Sequence, residues 1–250
     1  MPRKLRVLVA CEFSGTVRDA FARLGHDAWS CDLLPTDSYQ PIVYASNLPL
    51  CECCEEPWCP QHAMHYANCP CIGPSEDDIA FGPSDTAARH LQGNVLDFLD
   101  RGWDLMIAHP PCTYLCSSGL HWNTRIPARA RLTEEAIDFF MALYNAPIPQ
   151  VAVENPVGRM STAFRRPDQT IQPWQFGHPE SKGTCLWLKG LPLLQPTEIL
   201  PLPPSGHWAN QTPSGQNKLG PSKDRWKLRS LTYKGIANAM ALQWGGRVDE

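Results

Sequence analysis

Asp104-Leu105-Met106-Ile107-Ala108-His109-Pro110-Pro111-Cys112 is the stretch on which the reading of this chain turns. A short apolar run ends at two prolines, which cannot donate to a sheet ladder. The run is too short for a helix and shows no polar alternation, so it predicts a strand buried on both faces. A second run, Val151-Ala152-Val153, closes in the same way on Glu154-Asn155-Pro156. Strands of this kind belong to parallel sheets covered by helices. Ligands of such sheets bind outside the carboxyl ends of the strands, so the thiol of Cys112 and the carboxyl of Glu154 are expected at one edge. A cysteine nucleophile beside a proton donor suits addition to an electron-poor ring or carbonyl carbon. A cysteine after a proline pair is commonly a small core hydrophobe; the second strand end is what favours chemistry.

The rest of the chain extends this pattern. Residues 4–10 read as a buried strand, followed by the turn Cys11-Glu12-Phe13-Ser14-Gly15-Thr16 and a helix over 17–24 that stops at Gly25. Residues 27–32 form a second strand ending in Asp32. An acid there binds ribose hydroxyls in nucleotide-binding βαβ units; a cap or turn role is equally open. Residues 90–99 read as a strand end and a short helix. A helix over 133–144 places Ala136, Ile137, Phe140, Met141 and Leu143 on one side. Residues 184–188 make a further strand, 191–221 are a Pro-, Ser-, Gly- and Asn-rich loop, and 233–242 form a closing helix. There is no internal repeat. Strands and helices that alternate in this way predict an α/β fold with a doubly wound, mostly parallel sheet.

A chain of 250 residues, 43% hydrophobic and 19% charged, suits one soluble α/β domain with a small appendage. No apolar run approaches the ~20 residues that span a bilayer. Val7-Leu8-Val9-Ala10, behind its basic start, is too short for a signal core, so a cytoplasmic protein with no membrane partner is expected. Eleven cysteines in that setting argue for metal or catalysis rather than disulfides. Six of them cluster: Cys51, Cys53, Cys54, Cys59, Cys69 and Cys71, with His62 and His65 among them. Close pairs separated by a few residues suit a tetrahedral zinc knuckle. Cys51, Cys54, Cys59 and His62 are the first choice of ligands, with Cys69 and Cys71 as rivals, and a second ion is conceivable. No carboxylate-plus-His set leaves an open position, so the zinc is expected to be structural. The net charge of −3 hides a polarity. Residues 51–88 carry seven acids and no Lys or Arg, whereas 151–232 carry ten Lys and Arg against five acids. The basic part is a candidate polyanion footprint.

Four segments, in order, resemble the cytosine-C5 DNA methyltransferases. Pro110-Pro111-Cys112, with Ser117-Ser118-Gly119 behind it, resembles that family's catalytic loop, with Thr113 where Gln is usual. Glu154-Asn155 followed by Val157-Gly158 resembles its Glu-Asn-Val motif. The stretch from Phe176 to Thr184 resembles its Gln-x-Arg-x-Arg segment, with Glu180, Lys182 and Thr184 in those three places. Arg229-Ser230-Leu231-Thr232 and the run from Tyr233 to Ala239 resemble its C-terminal cofactor motif. The first motif departs from the pattern, with Cys11-Glu12-Phe13-Ser14-Gly15 in place of a Gly-rich turn. Asn94 stands where Asp is common.

The resemblance implies a Rossmann-like, S-adenosylmethionine-dependent methyltransferase core acting on cytosine in DNA. Cys112 would add to C6, Glu154 would hydrogen-bond or protonate N3, and Lys182 would sit near the pyrimidine carbonyl. Pro111, Asn155 and Thr184 would help bind the base. The cofactor would meet Glu12, Phe13, Ser14, Gly15, Thr16, Asp32, Asn94, Pro110 and Asn238. Duplex DNA would have to flip its cytosine out, or the base would arrive single-stranded. His109 is expected to be structural. The implied division is a catalytic core over 1–38 and 89–188, a Cys/His-rich zinc insert over 39–88, a reduced recognition region over 189–228, and a returning cofactor motif over 229–250. His207-Trp208 and Arg225-Trp226 in the reduced region could stack on bases or serve as anchors. An exocyclic-amine methyltransferase is a poorer match, since His109 and Cys112 replace the residues it would want around the prolines. The remaining alternatives are a vestigial zinc-containing nucleic-acid binder and a methyltransferase of free or modified pyrimidine nucleotides.

Overall fold

The computed structural model describes residues 3–37, 89–215, 217–220, 222–223 and 225–248, and the backbone of 58–59 and 64–65. Its centre is a seven-stranded sheet built from β1 (Arg6–Ala10), β2 (Asp27–Asp32), β5 (His90–Gln92), β6 (Leu105–Ala108), β7 (Gln150–Pro156), β8 (Gln169–Ile171) and β9 (Thr184–Lys189). The order across the sheet is β5-β2-β1-β6-β7-β9-β8. β5, β2, β1, β6 and β7 are parallel; β9 runs antiparallel to both of its neighbours. The chain starts in the middle, winds outward to β5, then returns to β6 and winds the other way. In open sheets of this kind ligands bind at that reversal, beyond the carboxyl ends of β1 and β6.

The apolar runs are continuous because both faces of the sheet are covered. Val7, Val9, Leu105, Ile107 and Ala152 face one core with α1 (Thr16–Ala22) and α5 (Lys234–Met240). Leu8, Ala10, Met106, Ala108, Val151 and Val153 face the other, under Phe140 and Leu143 of α2 (Pro127–Tyr144). This is a mixed α/β, doubly wound fold.

Several elements differ from the sequence-based expectation. α2 begins at Pro127, not near residue 133; proline at the first helical position is a start signal. β7 continues past Val153 through Pro156, because β9 pairs with all but its first residue. β8 is too short to leave a periodic trace. The expected loop over 191–221 is followed by a helix, α4 (Arg225–Ser230). Between β7 and β8 lies a single turn, α3 (Met160–Ala163).

Of the Cys/His-rich insert, the described backbone is an antiparallel pair, β3 (Trp58–Cys59) with β4 (Met64–His65). The zinc expectation at Cys51, Cys54, Cys59, His62, Cys69 and Cys71 lies outside the residues whose side chains are described. Among the described residues no helix is long and apolar enough to cross a membrane.

Candidate functional site

The carboxyl edge of the sheet is built from four strand ends. After β1 the chain reverses sharply. Cys11 takes φ 59°, a left-handed conformation that costs an L-residue with a Cβ roughly 1–2 kcal/mol. The Glu12 amide still reaches Cys31 O (3.1 Å), and its side chain turns under the start of α1. There Oε1 accepts the Val17 amide (2.7 Å) and Oε2 the Arg18 amide (3.2 Å). Ser14 Oγ also donates to Oε1 (3.3 Å). Glu12 is buried, and burial pushes its carboxyl up, against the pull of His109, those amides and Arg18. The helix N-terminus therefore carries a carboxyl of its own.

β2 ends at Asp32, half-buried, whose Oδ1 accepts the Leu34 amide (2.9 Å). Burial raises its carboxyl, while hydrogen bonds from Leu34 and Leu33 and the charge of His90 oppose this. His90, on β5, is held between Ser30 Oγ (2.8 Å) and Leu34 O (2.9 Å). Arg18 Nη1 donates to the same Ser30 Oγ (2.9 Å). One polar chain thus ties α1, β2, β5 and the loop after Asp32 together. Asn94 is exposed and caps the short 3-10 helix Val95–Phe98, its Oδ1 accepting the Leu96 amide (3.1 Å). Its amide oxygen thus already has a task within its own turn. The loop after Asp32 folds onto Phe13, whose carbonyl accepts the Asp37 amide and the Thr36 hydroxyl (both 2.9 Å). α4 covers this corner: Lys227 pairs with Asp37 (2.9 Å) and lies 5.4 Å over the Phe13 ring, while Trp226 tilts against Phe13 at 6.2 Å.

β6 and β7 deliver the reactive groups. Ala108 lies opposite Val153, so the next residues, His109 and Glu154, come side by side. His109 N extends the ladder by bonding Ala10 O (2.9 Å); then Pro110, which has no N–H, and Pro111 carry the chain out of the sheet. His109 Nδ1 lies 2.7 Å from Glu154 Oε2, and both side chains are nearly buried. Burial alone would push the imidazole down and the carboxyl up. Their mutual hydrogen bond and charge reverse both tendencies: His109 stands above its ordinary value and Glu154 below. Glu12 supports the cationic imidazole, and Lys182 supports the anionic carboxyl. The sequence reading expected a structural His109; in the structure it is the hydrogen-bond partner of Glu154. The signal was register, which is invisible until β6 and β7 are known to be neighbours.

Cys112 is exposed and lies at the mouth of a tight turn, its carbonyl accepting the amides of Leu115 (3.0 Å) and Cys116 (2.9 Å). That turn is fixed from two sides. Arg159 N bonds Leu115 O (2.7 Å), Ser117 N bonds Val157 O (3.3 Å), and Gly158 bridges Cys116. From α2, Arg129 Nη2 donates to Thr113 O (3.0 Å) and lies 5.0 Å over the Tyr114 ring. Asn155, fully buried, donates Nδ2 to Pro110 O (3.1 Å) and so joins the two strand ends. Although the residue reaches the surface, the packing around its turn desolvates the Cys112 thiol and pushes it up, as does Cys116; Arg229 of α4 pulls it down and Glu154 pushes it up. The charge of Glu154 is therefore felt at Cys112, across neighbouring strands.

Three other expected site residues are committed elsewhere. Lys182 Nζ donates to Leu231 O (3.1 Å), Glu180 accepts the Tyr233 hydroxyl, and His178 Nε2 accepts the Gly235 amide (2.9 Å). Alternate residues 178, 180 and 182 thus fasten the segment 231–235 like a clasp. Lys182 still acts on the His109–Glu154 pair through its charge. Thr184 is buried in β9, its hydroxyl donating to Lys182 O (3.2 Å), so it is spent on its own strand entry. Asn238 accepts from Arg23 Nη2 (3.1 Å), just beyond the last turn of α1, and does not join the strand-end group.

Fold and site together define an open, doubly wound α/β protein whose switch-point edge holds a thiol, a His–Glu pair and two further carboxyls. No protein-family model matches the chain, and no curated protein matches it. Among solved structures, one similar chain is described as a presumed DNA modification methyltransferase encoded within a prophage of Escherichia coli. It is 16% identical, with a TM-score of 0.40 over 81% of this chain and 54% of that one. This chain spans about half the length of that protein.

Proposed function

We propose that the protein transfers a methyl group from S-adenosylmethionine to C5 of cytosine in DNA, with Cys112 as the transient covalent nucleophile. The observation that supports this reading is the pairing of β6 with β7, which delivers the Cys112 loop and Glu154 to the same sheet edge, joined by Asn155. A thiolate adding at C6 makes C5 nucleophilic; Glu154 meets the opposite edge of the ring, at N3. Arg229 favours the thiolate, and Asn155 fixes the loop that aims it.

The residues fit the cofactor's chemistry. In dinucleotide folds the N-terminus of the first helix receives a pyrophosphate. Here the Glu12 carboxyl fills that position, so a phosphate would meet an acid at the same amides. A cofactor that is cationic at sulfur and carries no phosphate suits an edge lined by Glu12 and Asp32. When bound, it supplies an electrophilic methyl group. Asp32 would hold the ribose hydroxyls, and Phe13, under Trp226, would offer an apolar wall. The Cys/His-rich insert would hold a structural zinc.

Incubation with labelled S-adenosylmethionine and cytosine-containing oligonucleotides, single-stranded and duplex, tests the reading. Digestion to nucleosides should yield labelled 5-methyldeoxycytidine, and Cys112→Ser should yield none. Label on an exocyclic amine, or no label on any substrate, would dismiss it.

A further inference from the structure

The reading above gives Glu154 the ring edge but does not say what sets its protonation. We infer that His109 is the positioning residue for Glu154: its Nδ1 holds Oε2, so that Oε1 alone is offered to a pyrimidine. This inference rests on the proposed methyl-transfer reading for its consequence, but not for its geometry.

The geometry is specific. Nδ1 and Oε2 are 2.7 Å apart, with both side chains nearly buried. No described residue donates to Oε1. His109 Nε2 is buried and has no hydrogen-bond partner among the described residues. The charged groups facing this pair come from every surrounding element: Glu12 from the turn after β1, Lys182 from the entry to β9, and Cys112 from the loop after β6, while Arg18 of α1 answers Glu12. Glu12 favours the imidazolium; Lys182 favours the carboxylate but opposes the imidazolium, so the direction is set chiefly by the hydrogen bond and charge within the pair itself. The directions at the two groups, imidazole raised and carboxyl lowered, are those of an imidazolium–carboxylate pair.

The consequence is chemical. An anionic carboxylate cannot give a proton to N3. The proton on N3 must therefore arrive with the ring, taken from water as the base binds, and be held there by Oε1. Thiolate addition at C6 of that protonated ring forms the S–C6 bond and moves the ring's electron pair toward N3, leaving a neutral adduct. After the methyl group is in place, C5 gives its proton to water and the S–C6 bond breaks back to thiolate. The ring, cationic again, returns the N3 proton to water on release. The substrate class follows. The site favours a 4-aminopyrimidine, whose N3 is basic, over a 4-oxo pyrimidine, whose N3 already carries hydrogen and has no lone pair to protonate.

The pair is tested first without substrate. In protein with ¹⁵N-labelled histidine, both His109 ring nitrogens should stay protonated well above pH 6.5, the ordinary value. Glu154→Gln should return the titration to or below that value. A His109 that is neutral at pH 6.5 in the unaltered protein would overturn the inference. The second test uses a 5-fluorocytosine oligonucleotide. His109→Asn, which keeps a donor but loses the charge, should slow adduct formation by roughly a hundredfold, the lower end of the usual span for a general acid–base contribution. It should leave S-adenosylmethionine affinity unchanged and move the acid limb of the pH–rate profile upward. An unchanged profile in a folded variant would refute the inference. Absence of any adduct in the unaltered protein would instead refute the methyl-transfer reading, and the nitrogen titration would still judge the pair.

Discussion

At the scale of single residues, the site is a set of groups pushed away from their ordinary states by specific neighbours. Cys112 rests as a thiol because burial, Cys116 and Glu154 outweigh the nearby guanidinium of Arg229. Its alkylation by iodoacetamide at pH 8, followed by peptide mass mapping, should therefore be slower than that of a free cysteine. Arg229→Gln removes the charge that favours the thiolate and should slow it further, by a few-fold to tenfold. A faster rate in that variant would contradict the electrostatic assignment. The His109–Glu154 pair gives stability a pH signature. The raised imidazole contributes fully below 6.5 and loses its contribution as pH climbs through the folded-state value. The lowered carboxyl contributes above 4.5 and loses its share as pH falls through its folded-state value. Stability measured by urea should thus peak between those limits more sharply in the unaltered protein than in Glu154→Gln.

At the scale of elements, the Cys112 turn is held by the loop after β7 and by α2, and one glycine permits the closest approach. A Cβ on Gly158 would collide with Leu115 O and crowd the backbone of Cys116. Gly158→Ala should therefore cost about 1–3 kcal/mol in unfolding free energy, the usual range for overpacking, and reduce Cys112 reactivity toward a pyrimidine by displacing its turn. An alanine variant with unchanged stability and activity would show that the loop is not held there. β1, β6, β7 and β9 were legible in the sequence because strands buried on both faces leave unbroken apolar runs. β8 was not, since three residues leave no period. The start of α2 was missed because Ala128 to Leu132 are mixed in polarity, so the helix there is announced by Pro127 alone. Cys112 and Glu154 were legible as strand ends. His109, Arg18 and His90 were not, because their roles depend on which strands lie side by side. Lys182, Thr184 and Asn238 were assigned by resemblance, and each has a local partner that no spacing announces.

At the scale of the whole molecule, the chain combines a basic C-terminal part with an acidic, cysteine-rich insert. The acidity of residues 51–88 speaks against phosphate contact by the insert itself, so on the proposed reading the strand-end edge and the basic part would meet DNA. The insert's proposed task would then be structural. A metal assay on the purified protein should find about one zinc per chain, as a single four-ligand site requires. Chelation should lower the unfolding temperature while leaving the sheet's circular dichroism largely intact. A folded, metal-free protein of unchanged stability would remove zinc from the account.

The central claim is that one thiol and one carboxyl grip opposite edges of a single pyrimidine. Intact-mass measurement of the protein incubated with S-adenosylmethionine and a 5-fluorocytosine oligonucleotide tests it directly. The account predicts a covalent species equal in mass to the chain plus the methylated strand, present in the unaltered protein, absent in Cys112→Ser and strongly reduced in Glu154→Gln. An adduct that survives Cys112→Ser, or no adduct with single-stranded or duplex substrate, would contradict it.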